Sequence, residues 1–365
     1  MDFLHKLFFS FIILYQMEKS KKFEILNLIA LSLLVLVLIA VSSLSAKTYQ
    51  EKNSLLKHWE SEASLHGIIE MWNIDTFSGG SVSKTDYLNT VARSFEKINN
   101  GLYVNIINMS VEEARLALAD GRKPMMISFG YGVGQLFLEL FEPLNINCTK
   151  VKEEIKISGQ RDSVQYAIGY LMGGYAYYST TNKLLDASKD TATQISSGYE
   201  SCGYDKALRK TTKHIYGLCV GDSEYISPMS VLSNKSSDEI FKSSNDYDAY
   251  VDFISLNKAT ILLGTQRDLV KLKGKLERGA IEDLIIEPAI NYNDLIQYIG
   301  IVKGQGEMYA NCCKMFVEHL MSEASQKKLE GSGMFSTTIS KLYSDEDFSR
   351  LEEAVWNIEN VPNVF

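Results

Sequence analysis

The chain has 365 residues, 45% of them hydrophobic, and a formal net charge of -8. That acidity, with no stripe of clustered Lys and Arg, excludes a phosphate-tracking nucleic-acid protein. Five cysteines without a C-x-x-C pair and five scattered histidines leave no zinc or thioredoxin-type pattern, so no cofactor or metal is expected.

From the beginning, residues 1–24 read as a cytoplasmic N-terminus in which Met17, ahead of Lys19, Lys21 and Lys22, is an alternative start. Residues 25–44 form an uncharged apolar block long enough to span a bilayer. The lysines before it predict a cytoplasmic N-terminus with everything beyond Lys47 outside. The block is read as an uncleaved anchor, with a signal cleaved near Ser43 as the other reading. Residues 45–66 are polar and helix-compatible, a stalk. Roughly 320 residues follow the apolar block, more than one core usually serves, which predicts two lobes.

The organising stretch is GIIEMWNIDTFSGGS, Gly67 to Ser81. Ile68, Ile69, Met71 and Trp72 make a buried strand. A Ser-Gly-Gly-Ser turn follows, then an amphipathic helix on Tyr87, Leu88, Val91, Ala92 and Phe95. This is the opening of an α/β unit, whose ligands sit beyond the carboxyl ends of the strands. Tyr103 to Ile107 is a second strand, and Ser110 caps a short helix that runs to Ala119. Pro124 to Phe129 is a third strand that opens into Gly130-Tyr131-Gly132. Alternation of strand and helix predicts a mainly parallel sheet.

Tyr166 to Leu184, with Gly169, Gly173 and Gly174 ahead of Tyr175, Tyr177 and Tyr178, reads as an extended segment crossing between lobes, or as a tyrosine-rich edge strand. Asp186 to Asn245 has no assignable pattern. Cys202 and Cys219 lie where a bridge across a loop is one option and free thiols the other. Helix is predicted from Ala249 to Ser255. Ala259 to Gly264 is a strand that delivers Gln266, Arg267 and Asp268 either to a ligand or to the cap of the helix Leu269 to Leu276. Tyr298 to Lys303 is a strand, and Met308 to Leu320 a long amphipathic helix.

GIIEMWNIDTFSGG, PMMISFGYG, YLMGGYAYY, LLGTQRD and IGIVK…FVEHLMSEASQKKLEGSGMFS occur in this order over nearly the whole chain after Gly67. Together they resemble the extracellular solute-binding proteins of bacterial ABC importers, in particular the group related to maltodextrin-binding proteins. The resemblance implies an α/β, two-lobe periplasmic-binding-protein-like (flytrap) fold behind the membrane segment. Lobe 1 is expected to hold residues 67–165 and 258–303, and lobe 2 residues 166–257 and 304–365. It implies ligand contacts from Trp72, Asp75, Thr76, Ser128, Phe129, Gly174, Tyr175, Gln266 and Arg267, with Gly173 beside them at the cleft floor. It also implies a small solute, a carbohydrate first, and permease subunits as partners, without catalysis.

Three departures stand out. No cysteine precedes Cys148, so attachment through a lipidated cysteine after the apolar block is not expected. Met125 replaces an aspartate of the pattern, and the asparagine that usually ends the crossing strand is displaced to Asn182. The other functional classes are a tethered sensing ectodomain without transport and, third, a glycoside hydrolase using Asp75 and Asp268.

Overall fold

Two mixed β-sheets carry the chain, and the residues between them form the site. A computed structural model describes residues 66–147, 149–181, 183, 216–232 and 240–365. Met1–Gly67 and Ile68–Phe365 are separate units, and both sheets are built on the second. The expected anchor at 25–44, the stalk, Cys148, Asn182 and Cys202 lie outside the described residues. Among the described residues no helix is long and apolar enough to cross a membrane.

The first sheet contains β1 (Gly67–Ile74), β2 (Leu102–Met109), β3 (Met126–Gly130), β6 (Ala167–Met172), β12 (Ile296–Ile301) and the short β13 (Phe335–Ser336). Its order is β13-β6-β12-β3-β1-β2. β1 and β3 are parallel, with Trp72 opposite Ile127 and Asn73 opposite Ser128. β12 is antiparallel to both β3 and β6. A two-residue hairpin, β4 (Gln160–Arg161) with β5 (Val164–Gln165), precedes β6.

The second sheet contains β7 (Tyr175–Ser179), β8 (Tyr216–Gly221), β9 (Ile240–Ser243), β10 (Ala259–Thr265) and β11 (Ile285–Pro288), in the order β11-β7-β10-β8-β9. β8, β9 and β10 are parallel, while β7 is antiparallel to β10. The lobe boundaries expected from sequence therefore need correction. β10 belongs to the second sheet, not to lobe 1, and β6 belongs to the first. Helix 307–320 and β13, expected in lobe 2, pack with the first sheet. The physical reason is that β10 is buried along its whole length, so its residues carry no alternation to mark one sheet over the other.

The helices follow their sequence signals. α1 (Lys84–Ile98) buries Tyr87, Leu88, Val91, Ala92 and Phe95, and the Ser83 hydroxyl at its N-cap accepts from the Asp86 amide. α2 (Val111–Ala119) starts with a capping box between Ser110 and Glu113. α3 (Asp246–Ile254) is capped by Asn245, and α4 (Gln266–Glu277) follows β10 without a break. α5 (Glu307–Leu320) buries Phe316, Val317 and Leu320. Phe316 meets Phe95 edge to face at 5.3 Å, which fixes α5 against α1. α6 (Glu346–Trp356) packs on the β11 side, where Arg350 pairs with Glu287.

The chain passes from the first sheet to the second at Gly173–Gly174 and returns between β11 and β12. Gln266 ties the first passage. Its amide donates to Gly174 O at 3.0 Å, and its Oε1 accepts from Gly174 N at 3.0 Å. On the return, Gly173 N donates to Leu295 O, and Asn293 Nδ2 to Gly173 O at 3.1 Å. The two passages thus form one hydrogen-bonded joint.

Space at that joint is tight. A Cβ on Gly174 would lie 2.3 Å from Val355 Cγ2 on α6 and 3.4 Å from Leu351 and Phe335. Gly174→Ala is expected to lower unfolding stability by about 1–3 kcal/mol, the range for overpacking. Gly331→Ala, where nothing lies within 4 Å, is expected to stay within about 0.5 kcal/mol. Urea unfolding of the two variants checks this, and equal midpoints would contradict the packing described.

Candidate functional site

A cavity of about 470 Å³ opens between the carboxyl edges of the two sheets. From the first sheet it is lined by Asp75 to Gly79, Ser83 and Lys84, all at the β1–α1 junction. From the second come Tyr175, the loop Val220–Ile226, Asn245, Asp246 and the β10–α4 junction Leu263–Thr265 with Asp268. These are strand ends and the helix starts that follow them, where an α/β sheet presents its ligand groups.

The first wall is built on a buried polar network. Ser128 Oγ donates to Asn73 Oδ1 at 2.8 Å and shares a 3.0 Å hydrogen bond with the Tyr170 hydroxyl. Gln297 Nε2 reaches Ile74 O at 3.1 Å and Ser128 Oγ at 3.0 Å. Its Oε1 accepts from Lys84 Nζ at 2.9 Å. Lys84 is fully buried, 3.4 Å from Asp75 Oδ1 and 3.5 Å above the centre of the Phe77 ring. Burial lowers its ammonium to about 8, with the charge and hydrogen bond of Asp75 opposing. Gly130 leaves room for Thr76, since a Cβ there would lie 1.9 Å from Thr76 Oγ1. That oxygen is buried without a hydrogen-bond partner.

The second wall rests on α3 and α4. Arg267 Nη1 pairs with Asp246 Oδ2 at 2.6 Å, and the Ser78 hydroxyl reaches the same oxygen at 3.3 Å from the first lobe. On another side, a Cβ on Gly132 would lie 2.7 Å from Tyr225 O, so the β3 loop also touches the second lobe. Tyr175 donates to Asp294 Oδ1 at 2.8 Å, and Ser227 N donates to Asp294 Oδ2 at 2.6 Å. Burial raises the Asp294 carboxyl, and those donors pull it back.

Asp268 is the third residue of α4. Its Oδ2 accepts from Thr265 N at 3.0 Å, a capping contact, while Oδ1 is buried with no partner. Desolvation raises this carboxyl to about 6 against the pull of Thr265 N and Arg267.

Of the residues expected at the ligand, Asp75, Thr76 and Tyr175 line the cavity. The others stand behind it or away from it. Trp72 is fully buried in the first lobe, with Nε1 donating to Glu70 Oε1 at 3.0 Å. Phe129 is packed among Phe137, Phe141 and Tyr298. Both side chains fill core because β3 is buried along its whole length and β1 from Met71 to Ile74. Ser128 holds the network, and Gly174 and Gln266 form the joint. Arg267 supports Asp246, and it lies beyond the second sheet rather than in one sheet with Trp72. Sequence reasoning did not assign Lys84, Gln297, Asp246 or the loop Asp222–Tyr225 to the site. A glutamine inside the apolar run from Leu295 to Ile301 was the available signal for Gln297.

Cys219 is a free, buried thiol, which burial pushes up, and its Sγ donates weakly to Ala249 O. Among the described residues no group of His, Cys, Asp and Glu is arranged to hold a metal ion.

No protein-family model and no curated protein matches the sequence. Solved structures do match. The GacH receptor of Streptomyces glaucescens, solved free and with acarbose, aligns at a TM-score of 0.56 and 16% identity over 82% of this chain and 87% of that one. The sugar-binding protein MalE of Xanthomonas citri aligns at 0.59 and 12% identity, over 82% and 88%. The maltose/maltodextrin-binding domain MalE of Bdellovibrio bacteriovorus, bound to maltotriose, aligns at 0.52 and 15% identity, over 82% and 89%. The chain has the α/β two-lobe fold of the maltodextrin-type solute-binding proteins, the fold that the resemblance in sequence implied.

Asp268 has a consequence for stability. A carboxyl raised from 3.8 to about 6 on folding stabilises the native state fully below pH 4, and that contribution is lost as pH rises through 6. Above pH 7 the native state then carries a penalty of roughly 3 kcal/mol, at 1.36 kcal/mol per unit. Asp268→Asn, which keeps an acceptor for Thr265 N, is expected to unfold at a higher temperature than the parent at pH 7.5, with the gap closing towards pH 4. A gap independent of pH would show that Asp268 is not buried as described.

Proposed function

We propose that this chain is an extracellular receptor that binds a small solute, a sugar or oligosaccharide, and delivers it to an ABC-type permease. The observation that carries the reading is the cavity itself. Its walls come from two separate sheets joined through Gly173–Gly174 and Asn293–Leu295, and its volume of about 470 Å³ falls in the range of small-molecule sites. A solute between the walls has donors and acceptors from both, so binding couples to the angle between the lobes. The sugars named for the aligned GacH and MalE structures support a carbohydrate.

The apolar block 25–44 supports anchorage in the cell membrane, with the binding domain outside. A tethered receptor reporting to another membrane protein would use the same geometry. Catalysis is not part of this reading. Asp75 and Asp268 share the cavity, but Asp75 is held by Lys84 and Asn73, and one oxygen of Asp268 caps α4. No release of reducing ends from oligosaccharides is expected.

Small-angle scattering of the protein, free and with a saturating solute that raises its melting temperature, tests the central step. The radius of gyration is expected to fall on binding. An unchanged radius would sink the closure. The chain is expected to stay with membranes through a high-salt wash, and a soluble form beginning between Ser42 and Lys47 would contradict anchorage. Recovery of permease subunits with the solubilised receptor is expected, and their absence would favour the reporting role.

A further inference from the structure

The cavity is lined by five carboxylates, Asp75, Asp222, Glu224, Asp246 and Asp268, against one ammonium, that of Lys84. Two of the five are already compensated, Asp75 by Lys84 at 3.4 Å and Asp246 by Arg267 at 2.6 Å. Asp222, Glu224 and Asp268 have no ion pair among the described residues. The first two ride on the exposed loop after β8. Asp268 differs, because it is 1% exposed and still leaves Oδ1 without a hydrogen-bond partner. Capping of α4 requires only Oδ2, so the second oxygen is an acceptor that the fold does not use.

We infer that the solute carries at least one ammonium group, bound against Asp268 Oδ1 with the loop carboxylates Asp222 and Glu224. The inference rests on the solute-binding reading and narrows it. A neutral sugar has hydroxyls to donate to these oxygens, but it brings no positive charge to Asp222 and Glu224, or to Asp268, where burial outweighs the pull of Arg267 and Lys271, in a cleft that excludes water as it fills. Removing such groups from water is costly unless a charge of the other sign accompanies them. An ammonium supplies that charge, and its hydrogen bonds to carboxylates are roughly twice as strong as neutral ones. The apolar side of the cleft points the same way. Lys84 covers the Phe77 ring, Trp72 lies outside the cavity and Tyr175 is buried to 1% exposure, which leaves Tyr225 as the flat surface for stacking.

Titration calorimetry on the full chain in detergent, at pH 6.5, where glucosamine amines carry charge, with matched probes tests this. The probes are the trimer of glucosamine, its N-acetylated twin, maltotriose and spermidine. The glucosamine trimer is expected to bind at least tenfold more tightly than its acetylated twin, with a preference that shrinks as salt rises from 0.05 to 0.5 M. Asp268→Asn and Glu224→Gln are each expected to reduce that preference about tenfold. A purely structural role for Asp268 would alter the melting temperature and leave the preference between charged and neutral probes unchanged, against the inference. Spermidine binding without either amine-free sugar would support the ammonium class and remove the carbohydrate. Tighter binding of the acetylated trimer or of maltotriose would overturn the inference and leave the solute receptor standing. Binding of no probe would overturn both.

Discussion

The interaction on which the site depends is the burial of the Lys84 ammonium at the junction of β1 and α1. A charged amine with no exposure is expensive unless its donors are met, and here Asp75, Gln297 and the face of Phe77 meet them. The partners come from two pieces of the first lobe's edge. Asp75 and Phe77 lie on the loop after β1, and Gln297 lies on β12, two strands away in the sheet. Through Gln297 the same hydrogen bonds continue to Asn73, Ser128 and Tyr170. The loop that faces the cavity is therefore fixed from beneath by a network spanning four strands. Removing any one member leaves buried polar atoms without partners, which is why such a network positions a wall rather than merely adding stability.

The second wall has a different character. Its loop after β8 is exposed, and its charges face solvent, with α3 and α4 presenting their first turns to the cavity. Negative groups at helix N-termini are favoured by the local dipoles, so Asp246 and Asp268 suit their positions before any ligand is considered. Yet a buried carboxyl with an unused oxygen weakens the native state at neutral pH. Stability given up at a cavity wall is what a binding site requires when the wall must recognise something other than the protein itself. The joint between the walls is the complementary case, since Gly173, Gly174, Gln266, Asn293 and Leu295 satisfy one another's backbone groups and leave little free.

Local structure was largely legible in the sequence. α1 and α5 declared themselves by apolar spacing, and β1, β3 and β10 by short buried runs. Gly173–Gly174 marked the crossing because two glycines inside such a run weaken a strand. What was not legible was which sheet a fully buried strand joins, because a strand covered on both faces has no polar side to orient it. The same blindness moved Trp72 and Phe129 to the cleft when they belong to the core. β9 and β11 escaped because each is four residues long, and β8 because its apolar run is only Leu218 to Val220 between two glycines. Lys84 carried no signal at all, since a lysine at the start of a helix normally reaches water. Spacing alone leaves Asp268 open between ligand contact and helix cap, and in the fold one oxygen performs the cap while the residue also lines the cavity.

The most direct test of this account is the protonation of Lys84. In a chain whose lysines carry a ¹³C label at the ε position, nuclear magnetic resonance follows each ammonium through its titration. One signal, lost in Lys84→Arg, is expected to titrate at about 8 while exposed lysines titrate near the ordinary value of 10.5. It is also expected to shift when a solute enters the cavity that Lys84 lines. If the Lys84 signal titrates with the exposed lysines and ignores every solute that binds, the buried network does not form the floor of the site.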